Sequence, residues 1–276
     1  MTLPIDKLAA ILRDAAKAEI LPRFRRLSEG DIREKTSAVD LVTEADEAAE
    51  RFIKRECAAR LPDALFVGEE GVAADPALLA RIGEADLSII VDPIDGTANF
   101  AAGAPLFGVM AAVVSKGETV AGLIYDPLGD DWMIAEKGAG AFLVRPDGER
   151  VRLRAAEPAG IADMIGVASS SMLPKDQRRA LLTRLADTRI LANYRTAAHE
   201  YRLAASGALH YQFYVKLMPW DHLAGTLLLE EAGGYVRKWN GEPYRPTDTK
   251  GGLLTATDPE SWQALRALIG DDILRA

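Results

Sequence analysis

Apolar residues recur at helical spacing through Leu8, Ile11, Leu12, Ala15, Ile20, Phe24 and Leu27, which predicts a first helix over 5–28 with a kink at Pro22. Ala49, Phe52, Ile53, Cys57 and Leu61 predict a second helix over about 44–61, opened by Thr43 and Asp46 in the spacing of a capping box. The rhythm then shortens. Leu65-Phe66-Val67 is a brief apolar run, and Leu87 to Val91 reads as a buried strand that Pro93, lacking a backbone donor, should stop. After the apolar run Phe107 to Val114, Lys116-Gly117 marks a turn. Val120 to Tyr125, Trp132 to Ala135 and Ala141 to Val144 follow as antiparallel strands, separated by Gly129-Asp130 and Lys137-Gly138. Pro146-Asp147-Gly148 is a further hairpin signal.

Beyond about residue 150 strands and helices alternate. Strands are expected at Met164 to Ser169, Ile190-Leu191, Ala208 to Tyr214, Tyr235 to Trp239 and Leu253 to Thr257. Between them fall helices at Lys175 to Ala186, Ala197 to Ala205 and His222 to Ala232, the last ended by Gly233-Gly234, with a final helix to about Ile269. The expected organisation is therefore an N-terminal α+β lobe, 1–149, and a C-terminal α/β lobe, 150–276, packed as one unit.

With 276 residues, 49% of them hydrophobic and 27% charged, the chain can bury a sizeable core. Its net charge of −8 argues against direct nucleic-acid binding, and an anionic ligand would need cations supplied locally. Cys57 is the only cysteine, which excludes an internal disulfide and a thiolate zinc cluster; its helical pattern suggests a buried thiol. The longest apolar run falls far short of the roughly 20 residues that span a bilayer, and the N-terminus lacks a signal-peptide layout. A cytoplasmic protein without membrane partners is the expectation.

The candidate chemistry centres on Asp92-Pro93-Ile94-Asp95-Gly96-Thr97, where two acids follow the predicted strand and a turn or helix start offers free N–H groups suited to phosphate. Asp95 reads equally well as a helix cap, and Asp46 as a capping-box acid or a group supporting the site. Further acids stand at Glu69 and Glu70, after an apolar run, and at Asp221, at the start of an apolar helix. Two carboxylates 4 Å apart repel by about 4 kcal/mol at an effective dielectric of 20. A converging set must therefore bind protons or cations, and oxygen ligands without cysteine favour Mg²⁺ over zinc. No Walker-type loop or Gly-x-Ser-x-Gly elbow is present, which leaves water attack assisted by metal as the phosphoryl chemistry. Structural Ca²⁺ binding without turnover is the competing non-enzymatic reading. His199 and His222 read as helix-surface residues.

Four motifs in order, Lys35 with Asp40 to Asp46, Gly68-Glu69-Glu70, Asp92 to Thr97 and Trp220-Asp221-x-x-Ala224-Gly225, resemble the inositol monophosphatase family of lithium-sensitive, Mg²⁺-dependent phosphatases. The resemblance spans nearly the whole chain. It implies an α+β fold of five layers, an αβαβα sandwich of the sugar-phosphatase type, usually a homodimer, that hydrolyses small phosphomonoesters with two or three Mg²⁺ ions. Carried over, Glu69, Asp92 and the Ile94 carbonyl would hold one ion; Asp92, Asp95 and Asp221 would hold a second; Glu70 would serve a third or its waters. Glu69 and Thr97, backed by Asp46, would orient the water, the amides of Gly96 and Thr97 would bind phosphate, and Lys35 would lie nearby. Arg195 and Thr196 align with the substrate-contacting stretch. At Tyr214, seven residues before Asp221, inositol-specific members carry a glutamate that grips inositol hydroxyls; inositol monophosphate is the default substrate. Histidinol phosphate and nucleotide 3′-phosphates are alternatives within the class. Some bacterial relatives act instead as partners of the transcription machinery.

Overall fold

The computed structural model describes residues 5–37 and 40–274. Helix α1, Ile5–Ala15, runs into a wider turn over Ala16–Ile20, in which the Leu21 amide donates to the Ala16 carbonyl at 2.9 Å. The predicted helix over 5–28 thus ends early: Pro22 cannot donate to a carbonyl four residues back, and the turn ahead of it opens. A hairpin of β1, Ile32–Ser37, and β2, Asp40–Thr43, leads into α2, Glu44–Arg60. Thr43 caps α2 and Asp46 returns to the Thr43 amide, completing the expected capping box. Next come β3, Leu65–Gly68, and two short helices, α3, Glu69–Ala74, and α4, Leu78–Arg81.

Strand β4, Leu87–Asp95, does not stop at Pro93 as expected. It continues through one extra residue: Asp92 faces Met110 on the next strand, yet Asp95 faces Gly108. That bulge is where a sheet tolerates proline, and it aims Asp92 and Asp95 off the strand end. Helix α5, Thr97–Ala101, is followed by β5, Gly108–Ser115, β6, Glu118–Asp126, β7, Asp131–Glu136, β8, Gly140–Val144, and β9, Arg150–Arg152. Strands β3 to β9 form one seven-stranded sheet in chain order, with β3 and β4 parallel and the other neighbours antiparallel.

The rest of the chain alternates: β10, Ile165–Ala168, α6, Lys175–Leu185, β11, Ile190–Ala192, α7, Ala197–Ala205, β12, Tyr211–Tyr214, and α8, Pro219–Glu231. Strands β13, Tyr235–Lys238, and β14, Leu253–Ala256, precede α9, Pro259–Ile269. The second sheet has the order β11-β10-β12-β14-β13.

Side chains alternate across each strand, so the period-2 pattern assigns the layers. Ile89, Val91, Ala111, Val113 and Leu123 pack with α1 and α2, whereas Ile90, Met110, Ala112, Val114 and Ile124 pack with α7 and α8. Across the second sheet, Val167, Val236 and Leu253 join that α7–α8 core, while Ala168, Phe213 and Leu254 face α6 and α9 through Leu181, Leu185, Trp262 and Leu265. The result is five layers, helix–sheet–helix–sheet–helix, as expected. Helix α8 occupies the middle layer, and its buried residues run from Pro219 to Leu229 without a polar stripe. Two glycines permit its close seating. A Cβ on Gly122 of β6 would stand 2.8 Å from the Ala224 Cα, and one on Gly225 would enter the Tyr201 ring at 2.1 Å. No described helix is long and apolar enough to cross a membrane.

Candidate active site

The bulge of β4 delivers Asp92 and Asp95, and the first turn of α8 brings Asp221 to meet them. One oxygen from each lies within 4.8 Å of the others, on the floor of a cavity of about 510 Å³. Glu69, Ile94, Gly96, Thr97, Arg195, Thr196 and Tyr214 also line this cavity, so residues far apart in the chain meet there. Glu70, one position along α3 from Glu69, is not part of its wall. Lys35 lies on β1, but its side chain is outside the described residues.

Asp92 and Asp95 are held by neutral donors. The Ile94 amide donates to Asp92 Oδ1 at 3.0 Å. Asp95 Oδ2 accepts from Thr196 Oγ1 at 2.5 Å and from the Ala198 amide, in the first turn of α7, at 2.6 Å. Burial, reinforced for Asp92 by Glu69, Asp95 and Asp221, raises the Asp92 and Asp95 carboxyls above the usual range. Asp221 is pushed up to about 8 by burial and then by Glu69 and Asp95. Hard oxygen donors that resist sharing one site as anions are the donor set a divalent cation neutralises, so the residues fit such an ion.

Beside this cluster, Gly96 adopts φ 89° to turn the chain into α5, and a Cβ there would lie 3.0 Å from the Leu106 carbonyl oxygen and from Thr196 Cβ. Glycine is thus required twice over, by conformation and by space. Thr97 Oγ1 lies 3.0 Å from Asp46 Oδ1 and 2.9 Å from the Ile94 carbonyl. Asp46 does not reach the cavity; it is buried behind Thr97, and desolvation raises it to about 7 against the hydrogen bonds from Thr43. Its two sequence readings therefore coexist: Asp46 closes the α2 cap and braces Thr97.

Two buried acids were not singled out by the sequence. Glu50, on α2, accepts the amides of Glu70 and Gly71, each at 2.8 Å, and so fixes the start of α3 that presents Glu69. Glu200, on α7, lines the cavity and accepts from the Tyr194 amide at 2.9 Å and from Tyr214 Oη at 2.8 Å. Neither has a motif: Glu50 is one of four glutamates in α2 and Glu200 a lone one in α7, and each reads as a solvent-facing charge. The surface expectation for the histidines is corrected. His222 is buried, bonded by Nε2 to the Lys216 carbonyl and by Nδ1 to Tyr201 Oη, and burial lowers it to about 4. His199 is half-buried against the Phe107 carbonyl at 3.0 Å.

The model of the inositol monophosphatase family matches residues 4–271. The chain belongs to the inositol monophosphatase family. Members of that family are phosphatases, hydrolases of phosphoric monoesters, and this chain is one of them. It is 32% identical over 213 residues to a Thermotoga maritima fructose-1,6-bisphosphatase/inositol-1-monophosphatase, covering 77% of each chain. It is 34% identical over 207 residues to an inositol-1-monophosphatase of Mesorhizobium japonicum, covering 73% of each. A Nus factor SuhB of Xylella fastidiosa shares 31% over 239 residues, 83% of this chain and 78% of that one. The solved Thermotoga maritima inositol monophosphatase superposes with a TM-score of 0.81 at 26% identity, covering 98% of this chain and 97% of its own.

Proposed function

We propose that this phosphatase is Mg²⁺-dependent and hydrolyses a small phosphorylated polyol, with inositol monophosphate as the default substrate. The observation that carries this reading is the meeting of Asp92, Asp95 and Asp221 within 4.8 Å beside the Gly96–Thr97 turn. Asp92, Asp95, Asp221, Glu69 and the Ile94 carbonyl would hold two Mg²⁺ ions, and Glu70 a third or its waters. Bound there, the metal supplies positive charge that neutralises the phosphate and lowers the barrier to attack by water.

The remaining work falls to the chain. The amides of Gly96 and Thr97 bind phosphate oxygens, being at the start of a helix whose first N–H groups have no carbonyl ahead of them. Thr97, held against Asp46, orients the attacking water together with Glu69, and the Thr97–Asp46 pair can take up its proton. Arg195 and Thr196 border the leaving group, as does Tyr214; Lys35 is assigned to the phosphate side. The chain reads as two lobes, 1–149 and 150–276, working as a cytoplasmic homodimer.

Phosphate release measured across sugar, amino-alcohol and nucleotide monophosphates tests the substrate. Turnover of histidinol phosphate or a nucleotide 3′-phosphate far above inositol monophosphate would replace the polyol. The similarity to the Xylella fastidiosa Nus factor SuhB supports a second reading, a partner of the transcription machinery. Rescue of a deletion strain by Asp92→Asn, without turnover, would favour it.

A further inference from the structure

Glu200 stands apart from the metal cluster. It lines the cavity, yet among the described residues the acids gathered within 4.8 Å are Asp92, Asp95 and Asp221 alone. It is 4% exposed, and its donors, the amides of Tyr194 and Arg195 and Tyr214 Oη, are neutral. No described cation lies within ion-pair distance of it. A carboxylate has room for about four hydrogen bonds, so three donors leave it an acceptor position to offer a ligand. Tyr214 is itself braced from behind: Gln212 Nε2 donates to Tyr214 Oη at 3.0 Å, and Thr255 Oγ1 donates to Gln212 Oε1 at 3.1 Å. The acceptor is therefore oriented by a chain of bonds reaching into the second sheet.

Helix α7 also fixes where that acceptor stands relative to the chemistry. Its first turn binds Asp95 through the Ala198 amide, and Glu200 follows two residues later on the same rigid element. An incoming ammonium group would meet Arg195 and Lys216, both exposed on the same wall, whereas a hydroxyl donor carries no such penalty. We propose that Glu200, oriented by Tyr214, accepts a hydroxyl of the leaving alcohol and so selects polyol monophosphates. The proposal deepens the polyol phosphatase reading and rests on it for the placement of phosphate.

The test compares the wild type with Glu200→Gln on inositol 1-phosphate and on p-nitrophenyl phosphate, whose leaving group carries no second hydroxyl. The substitution should raise KM for inositol 1-phosphate about tenfold or more, while kcat/KM for p-nitrophenyl phosphate stays within about twofold. Tyr214→Phe, a milder change, should move the same ratio in the same direction and serves if Glu200→Gln fails to fold. Equal losses on both esters would make Glu200 a structural group and overturn the proposal, as would no change on either. Selective loss of histidinol phosphate turnover, with the polyol ester unaffected, would overturn it in favour of an amino alcohol. Binding of free myo-inositol, followed by saturation-transfer NMR, should be seen with the wild type and lost in Glu200→Gln. That readout decides the role of Glu200 even if no ester is hydrolysed, an outcome that would fail the phosphatase reading alone.

Discussion

Asp92, Asp95 and Asp221 are held close by a fold that gains nothing from their mutual repulsion, so the native state tolerates them at a cost in stability. Replacing Asp95 or Asp221 by Asn should lower Mg²⁺-stimulated turnover by at least about a hundredfold, because an ion loses a charged ligand. The metal-free melting temperature should hold steady or rise. Unaltered turnover in both variants would refute the metal assignment. Several of these residues were legible because their chemistry demands a short motif: the Asp-Pro-Ile-Asp-Gly-Thr turn and the Trp-Asp pair announce themselves. Glu50 and Glu200 did not. Each is surrounded in sequence by ordinary helical residues, and only tertiary burial distinguishes a structural or binding glutamate from a solvated one.

Among the elements, α8 has the tightest fit. Gly122→Ala would push a methyl group against the Ala224 backbone, which cannot yield as a flexible side chain would. It should cost about 1–3 kcal/mol in denaturant unfolding and also reduce turnover, since Asp221 rides on the same helix. Wild-type stability in that variant would show that the helix is more loosely seated than described. Helix α1 is tied to the β6–β7 turn differently, through Arg13 and Tyr125 Oη to Asp130. The Arg13 hydrogen bond, ahead of that from Tyr125, lowers the Asp130 carboxyl to about 2. Its folded value lies below its unfolded one, so its stabilisation is fully present above about pH 4 and is lost as pH falls through about 2. Asp130→Asn should therefore be less stable than the wild type at pH 7, with the gap narrowing between pH 4 and 2 in denaturant titrations. A constant gap would remove the ion-pair explanation. The longer helices were readable from periodicity, but the short α3 and α4 and the β1–β2 hairpin were not, since one or two turns show no period and Ile32 to Thr43 has no clear alternation. The passage of β4 through Pro93 was hidden too, because a bulge is decided by the pairing partner and not by the proline.

For the whole molecule, the acids of the site act together. In the metal-free protein Asp221 sits near 8 and Asp46 near 7, each above its unfolded value. Between pH 4 and 8 the folded chain holds protons at these two acids that the unfolded chain has released, so their contribution to stability falls as pH rises, opposed below about pH 6.5 by the single group His222, which burial lowers to about 4. Chelator-treated protein should melt at a lower temperature at pH 8 than at pH 5, and added Mg²⁺ should restore more of the loss at pH 8. A melting temperature that rises over that range would contradict the burial of these groups. The layered architecture was foreshadowed by the change of rhythm near residue 150 and by family resemblance. Sheet order was not, since the sequence does not say that β14 lies between β12 and β13.

The catalytic acids are contributed by the bulged end of an interior strand of one sheet and by the helix wedged between both. No half of the chain carries a complete set. Turnover is consequently a faithful report that the middle layer has docked: a partly assembled molecule, however rich in secondary structure, would be silent in a phosphate assay.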